Sequence, residues 1–277
     1  MCNYNVGIMK LEFVSDCGAL RKLNPVILCI TNPVATNFNA NALLSVGASP
    51  LMSCSVEEMR ELTMLSSALY VNIGCPDRFV LEAARIAVRT ASQAGRPWVL
   101  DPVGAGISGL RTGIVRELIG IAPPAIIRGN ASEIKAVAGG TGGSTRGIDS
   151  SDDGASVQEA ARKLAADTGS VVVTSGATDY ITDGRIVRRI NNGDAMMSRV
   201  SGMGCTASAL CAAFSAVDGD MMMAASCAMA LMGVAGERTA AAAGGVGSFQ
   251  TCMLDELGSF SPQEYSELIR EDEDEEL

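Results

Sequence analysis

The stretch ALYVNIGCPDRFVLEAARIAVRTASQAGRPWVLD, residues 68–101, decides the fold. It opens with an apolar run too short for a helix, ALYVNIG at 68–74, and closes with another, PWVLD at 97–101. Between them, from about Asp77 to Ala94, Val80, Leu81, Ala84, Ala87, Val88 and Ala91 recur at the i, i+1, i+4, i+7, i+8, i+11 spacing of one helix face. Continuous rather than alternating apolar runs read as strands buried on both faces, and a helix between two of them joins parallel neighbours.

The same grammar extends outward in both directions. VILCI at 26–30, AIIRG at 125–129 and SVVVTS at 170–175 are further buried strands, separated by segments of helical period. Ser55 with Glu58 predicts a capping box ahead of Met59, Leu62 and Leu65. TDYITDG and RIVRRI predict a hairpin across Asp183-Gly184. From Gly204 onward the chain reads as alanine-rich helices. The expected architecture is a single three-layer α/β/α domain over residues 1–270, with a mostly parallel central sheet. GGTGGSTRGIDSSDDG at 139–154 reads as a surface loop, because no Lys-Ser or Lys-Thr closes it as a phosphate loop. EDEDEEL at 271–277 reads as a disordered, solvated acidic tail.

Composition narrows the chemistry. The 277 residues are 48% hydrophobic and 19% charged, a globular balance, and the net charge of −10 offers nucleic acid or an anionic membrane no basic footprint. Nine cysteines, an odd number with no C-x-x-C, fit neither a disulfide framework nor a zinc site and point to a reducing cytoplasm. MCNYNVGIMKLEF has no charged region leading into an apolar one. The most membrane-like segment, Met221 to Ala243, is interrupted by Glu237 and Arg238. With no histidine anywhere, Ser-His-Asp and Cys-His catalysis are excluded, and any base is a carboxylate, thiolate, lysine or tyrosine.

Ligands of open parallel sheets bind beyond the carboxyl ends of the strands. There the chain has Thr31-Asn32, Gly74, Asp101-Pro102-Val103-Gly104, Arg128-Gly129-Asn130 and Thr174-Ser175-Gly176. VSGMGCTASALCAAF at 200–214 adds a Gly-Met-Gly turn running into a helix, whose free amides make an anion site. Cys205 lies at that helix start, where the macrodipole is expected to lower the thiol pKa. Asp101 and Glu133 suit hydrated Mg2+ among nucleotide phosphates, and Arg128 supplies a fork donor. Each residue also has a purely structural reading: Asp101 starting a turn before Pro102, Glu133 favouring its own helix terminus, Arg128 in a surface ion pair. Together, at strand ends, they favour magnesium-dependent phosphoryl transfer.

The order of ITNPVATNFNANALLSVGASPLM at 30–52, NIG at 72–74, VLDPVGAG at 99–106, IRGNASEI at 127–134, TDYITDG at 178–184, GMGC at 202–205 and GSF at 247–249 resembles the hydroxyethylthiazole kinases, of the ribokinase-like superfamily, over nearly the whole chain. The resemblance implies phosphorylation of a thiazole alcohol by ATP for thiamine salvage, in a cytoplasmic homotrimer with interfacial pockets. It implies a thiazole pocket at Asn32, Val34, Met52 and Gly202. It further implies ATP contacts at Arg128 and Ser175 with Asp101 and Asn130 nearby, and magnesium at Asp101 and Glu133. Catalysis then falls to Cys205 in the turn Gly202-Met203-Gly204, with Cys205 where other superfamily members carry an aspartate.

Two departures stand out. Met203 replaces the usual threonine and is expected to bring a bulky side chain into the loop. Thr174-Ser175-Gly176-Ala177 stands for VTGE, so Ser175 replaces threonine and a carboxylate is lost, with Thr174 supplying the hydroxyl if the register shifts by one. The alternatives are a ribokinase-like kinase of another small alcohol, and a binding protein of this fold that no longer turns over.

Overall fold

The computed structural model describes residues 2–139 and 154–274. The parallel strands are β1 (Val26–Ile30), β2 (Ser49–Met52), β3 (Ala68–Asn72), β4 (Trp98–Asp101), β5 (Ile126–Asn130) and β6 (Val171–Ser175). The antiparallel strands β7 (Asp179–Thr182), β8 (Val187–Ile190) and β9 (Glu271–Asp274) extend the same sheet, whose order is β2-β1-β3-β4-β5-β6-β7-β8-β9. The five buried runs read from sequence are β1, β3, β4, β5 and β6, and the hairpin is β7–β8.

Helices cover both faces because each buried strand sends alternate side chains to opposite sides. Ile27 and Cys29 join one apolar cluster, while Leu28 and Ile30 join the other. The first cluster packs under α1 (Cys2–Leu23), α2 (Thr36–Val46), α8 (Met203–Ser215), α9 (Met221–Ala242), α10 (Val246–Ser259) and α11 (Pro262–Leu268). The second packs under α3 (Met59–Leu65), α4 (Arg78–Gln93), α5 (Gly109–Ile121), α6 (Ala131–Val137) and α7 (Gly154–Thr168). Helix α4 starts where Asp77 accepts from the N–H groups of Phe79 and Val80. Among the described residues no helix is long and apolar enough to cross a membrane.

Three expectations need correction or limit. Residues 271–274 are strand, not solvated tail: Glu271 is buried and pairs with Arg188 at 2.7 Å, and the register sets Arg189 opposite Asp272. Opposite charges across the ladder thus offset the repulsion within the acidic run. The Ser55–Glu58 capping box does not form; Ser55 Oγ donates to Glu57 at 2.8 Å, Ser53 Oγ occupies Glu58 at 2.6 Å, and α3 starts at Met59 with no side-chain cap. The loop reading of 139–154 lies, from 140 to 153, outside the described residues, as do 275–277 of the tail.

Candidate active site

Five strand ends and the start of α8 meet at one edge of the sheet. The register of β3 on β4 puts Asn72 beside Asp101, and that of β5 on β6 puts Gly129 beside Thr174 and Asn130 beside Ser175. The chain turns into α8 at Gly202, which holds φ +92° in the left-handed region that favours glycine. The first helical bond is Thr206 N–H to the Gly202 carbonyl at 2.9 Å, so the amides of Met203, Gly204 and Cys205 precede the ladder and are free for an anion.

The Cys205 sulfur sits against a buried amide network. Asn72 Nδ2 lies 3.2 Å from Cys205 Sγ, 2.8 Å from Asp101 Oδ2 and 2.9 Å from the Tyr70 hydroxyl, which itself donates to Asp101 Oδ2 at 3.1 Å. Asn32 Nδ2 donates to Asn72 Oδ1 at 3.0 Å and lies 3.5 Å from the same sulfur. Burial pushes the Cys205 thiol above its ordinary pKa, helped by the Asp101 charge, while the two asparagine donors and Arg128 pull the other way. The thiol lowering expected from the macrodipole is therefore overturned: desolvation outweighs a helix-end effect of roughly 0.3–1 kcal/mol.

Arg128 rises from β5 into the same space. A Cβ on Gly204 would lie 2.8 Å from Arg128 Nη1, so the glycine is what lets the guanidinium approach the helix start. The Arg128 charge lowers the pKa values of Asp101 and Asp179, but burial dominates both and holds each at about 6. Arg128 Nε and Thr174 Oγ1 are buried with no hydrogen-bond partner among the described residues, while Ser175 Oγ lies against the Asp179 carboxylate and helps lower its pKa. Unpaired donors cost stability in an interior, and alternation along β5 and β6 puts Arg128 and Ser175 on the α8 face of the sheet and Thr174 on the opposite one.

Glu133 and Asn130 form a capping box at the start of α6, and Glu133 Oε1 also accepts Gly104 N–H at 2.8 Å. The carboxylate is structural, yet it lies near enough to Asp101 to raise that pKa after burial. Two carboxylates that repel one another in a buried site are a donor set that fits a hard divalent ion completed by water and phosphate.

Other predicted residues fall differently. Asn32 is buried, with Oδ1 accepting from Val34 and Ala35 N–H, but the Val34 side chain is 68% exposed. Met52, part-buried, ends the edge strand β2 beside Cys29. Met203 does not enter the loop: as the first residue of α8 it turns into the core and is buried. Sequence reasoning gave no role to Asn72, Tyr70 or Arg111. Arg111 bonds the carbonyls of Ile73 and Val103 through Nη1 and Gly74 through Nη2, tying together the loops after β3 and β4. A lone amide inside an otherwise apolar run was the available signal for Asn72.

Known proteins carry the same arrangement of sequence. The model of the hydroxyethylthiazole kinase family matches residues 18–263. The chain is 44% identical over 244 residues to the hydroxyethylthiazole kinase of Leptospira biflexa, covering 88% of this chain and 91% of that protein. It superposes on the hydroxyethylthiazole kinase of Pyrococcus horikoshii with a TM-score of 0.86 at 31% identity, covering 95% and 99% of the two chains. A ribokinase-like superfamily protein from Enterococcus faecalis, at 13% identity and a TM-score of 0.64 over 87% of each chain, shares the fold alone. With α8, Arg128 and the strand-end carboxylates gathered at one sheet edge, and with these matches along nearly its whole length, the chain belongs to the hydroxyethylthiazole kinase family.

Proposed function

We propose that this chain transfers the γ-phosphoryl group of ATP to the hydroxyl of 4-methyl-5-(2-hydroxyethyl)thiazole in thiamine salvage, with Mg2+, as a cytoplasmic homotrimer. The observation that carries the reading is the approach of Arg128 to Gly204, which puts a cation and the free amides of α8 around one space. Phosphoryl transfer through a loose transition state needs such positioning and charge stabilisation more than a strong base. Arg128 and Ser175 hold ATP oxygens from the α8 face, a role supported by Arg128 Nε having no partner among the described residues.

Asp101 and Glu133 would hold magnesium, which neutralises charge on the phosphates when bound. Cys205 accepts the alcohol proton as its thiolate, late in the transfer when the oxygen has become acidic; the raised pKa makes that thiolate scarce near neutral pH but a stronger base once formed. Asn32, Val34, Met52 and Gly202 take the thiazole. Exposed Val34, Leu44, Met64 and Leu65 on and around α2 and α3 support the trimer, because an adjoining subunit would cover them.

Product analysis by phosphorus NMR tests the substrate, and light scattering tests the assembly. The expected product is the phosphate ester of the thiazole alcohol. A kcat/KM for a hydroxymethylpyrimidine equal to or above that for the thiazole alcohol overturns the substrate assignment, and a solution mass of one 28.6 kDa chain overturns the trimer.

A further inference from the structure

Asn72 is 1% exposed at the end of β3, and every polar atom of its side chain is engaged. The orientation of its amide is dictated by backbone groups that can only donate. Gly74 N–H points at Asn72 Oδ1 at 2.8 Å, so the oxygen must face Gly74 and the NH2 must face Asp101 and Cys205. The same logic fixes Asn32, whose Oδ1 accepts from Val34 and Ala35 N–H and whose NH2 therefore faces Asn72 and Cys205. Gly74 itself is constrained, since a Cβ there would lie 2.8 Å from Asn32 Nδ2 and 2.9 Å from Asn72 Oδ1.

Three backbone amides thus set a chain of two side-chain amides that ends on the sulfur. Two hydrogens of Asn72 Nδ2 serve three acceptors: Asp101 Oδ2, the Tyr70 hydroxyl and Cys205 Sγ. This geometry keeps Cys205 and Asp101 apart yet linked through one nitrogen, so that a rotation of either side chain costs its hydrogen bond to Asn72.

We infer that Asn72 is a positioning residue for the transfer step: it holds the Cys205 sulfur toward the acceptor hydroxyl and separates it from the Asp101 carboxylate. The inference rests on the reading of Cys205 as proton acceptor. Residues that act through such an orienting bond typically change activity by about 10–100-fold when removed. The ATP contact at Arg128 lies outside this amide chain, so KM for ATP is expected to stay, whereas Asn32 of the thiazole pocket donates to Asn72 at 3.0 Å, so KM for the thiazole alcohol is expected to shift with it.

The matched pair Asn72→Ala and Asn72→Ser tests it, since the two differ little in volume but only serine keeps a donor. Steady-state kinetics with Mg-ATP and the thiazole alcohol should give kcat lower by about 10–100-fold in Asn72→Ala. KM for ATP should stay within about threefold of the unsubstituted chain, and part of kcat should return in Asn72→Ser. Equal kcat in the two variants, kcat unchanged in Asn72→Ala, or a KM rise that accounts for the whole loss would overturn the proposal. Failure of both variants to fold, read by circular dichroism, would make Asn72 a folding residue and overturn it as well. Cys205→Ala run alongside separates the two layers: full activity there defeats the role of Cys205, whatever the Asn72 variants do.

Discussion

Glu133 Oε1 accepts the backbone N–H of Gly104 at 2.8 Å, while its Oε2 accepts that of Asn130 at 2.9 Å, so one carboxylate ties the loop after β4 to the end of β5. Glutamine cannot accept with both ends, and its NH2 would face one of these two N–H groups. Glu133→Gln should lower kcat by about 10–100-fold and raise the Mg2+ concentration needed for half-maximal rate. Unchanged rate and magnesium dependence would show that the carboxylate does no more than cap α6.

Gly204→Ala separates folding from function. Alanine is favoured over glycine inside a helix by about 1 kcal/mol, so Tm should hold or rise. The added Cβ, 2.8 Å from Arg128 Nη1, must displace the guanidinium, and KM for ATP should rise by about tenfold, the loss of roughly one charge-assisted hydrogen bond. Gly204→Val should lose activity further. An unaltered KM for ATP in both variants would remove Arg128 and the helix start from the nucleotide site.

The sheet was legible wherever burial on both faces left an uninterrupted apolar run, as in β1 or β6. Strand β2 was not, because Ser49-Pro50-Leu51-Met52 is four residues long, contains a proline and is only part-buried at the sheet edge. Strand β9 was read as a tail because its partner Arg188 lies 83 residues away in sequence, and a like-charge run shows no sign of that pairing. At the site, Asp101, Arg128 and Cys205 were found because they follow apolar runs or open a helix. Asn72 lies inside the apolar run Ala68 to Gly74, two residues before its glycine end, where a polar residue carries no strand-end signal. Met203 was misjudged for a different reason: the turn ends one residue earlier than its glycine spacing implies, and helix geometry then swings the side chain into the core.

Asp16 on α1 gives a prediction remote from catalysis. Burial first, then the charge of Asp218, push its pKa up to about 7, with Glu12 adding repulsion and the Cys227 thiol opposing it. Between the ordinary carboxylate range and pH 7 the folded chain holds a proton that the unfolded chain has released. Stability therefore falls as pH rises through that window, and the penalty is complete above it. Asp16→Asn, which mimics the protonated acid, should raise Tm at pH 8 by roughly 2–4 °C for each kcal/mol relieved and leave Tm near pH 4 almost unchanged. Equal shifts at both pH values would contradict the assignment.

On the proposed role of Cys205 as proton acceptor, its ionisation would set the pH dependence of turnover. Because its thiol is held above the ordinary range, kcat should still climb with pH beyond about 8.5, the reference for a free thiol. Cys205→Asp should flatten that limb by supplying a base already ionised at neutral pH, while keeping or raising the rate. The same alkaline limb in both proteins would assign it to another group.

The most direct measurement is ADP release from Mg-ATP with the hydroxyethylthiazole alcohol, beside a hydroxymethylpyrimidine and a no-acceptor control, for the unsubstituted chain and Cys205→Ala. The account predicts release that depends on the thiazole alcohol and falls by about 100-fold or more in Cys205→Ala, the usual worth of a positioned proton acceptor. Release that ignores the acceptor, or a Cys205→Ala rate equal to that of the unsubstituted chain, would contradict it.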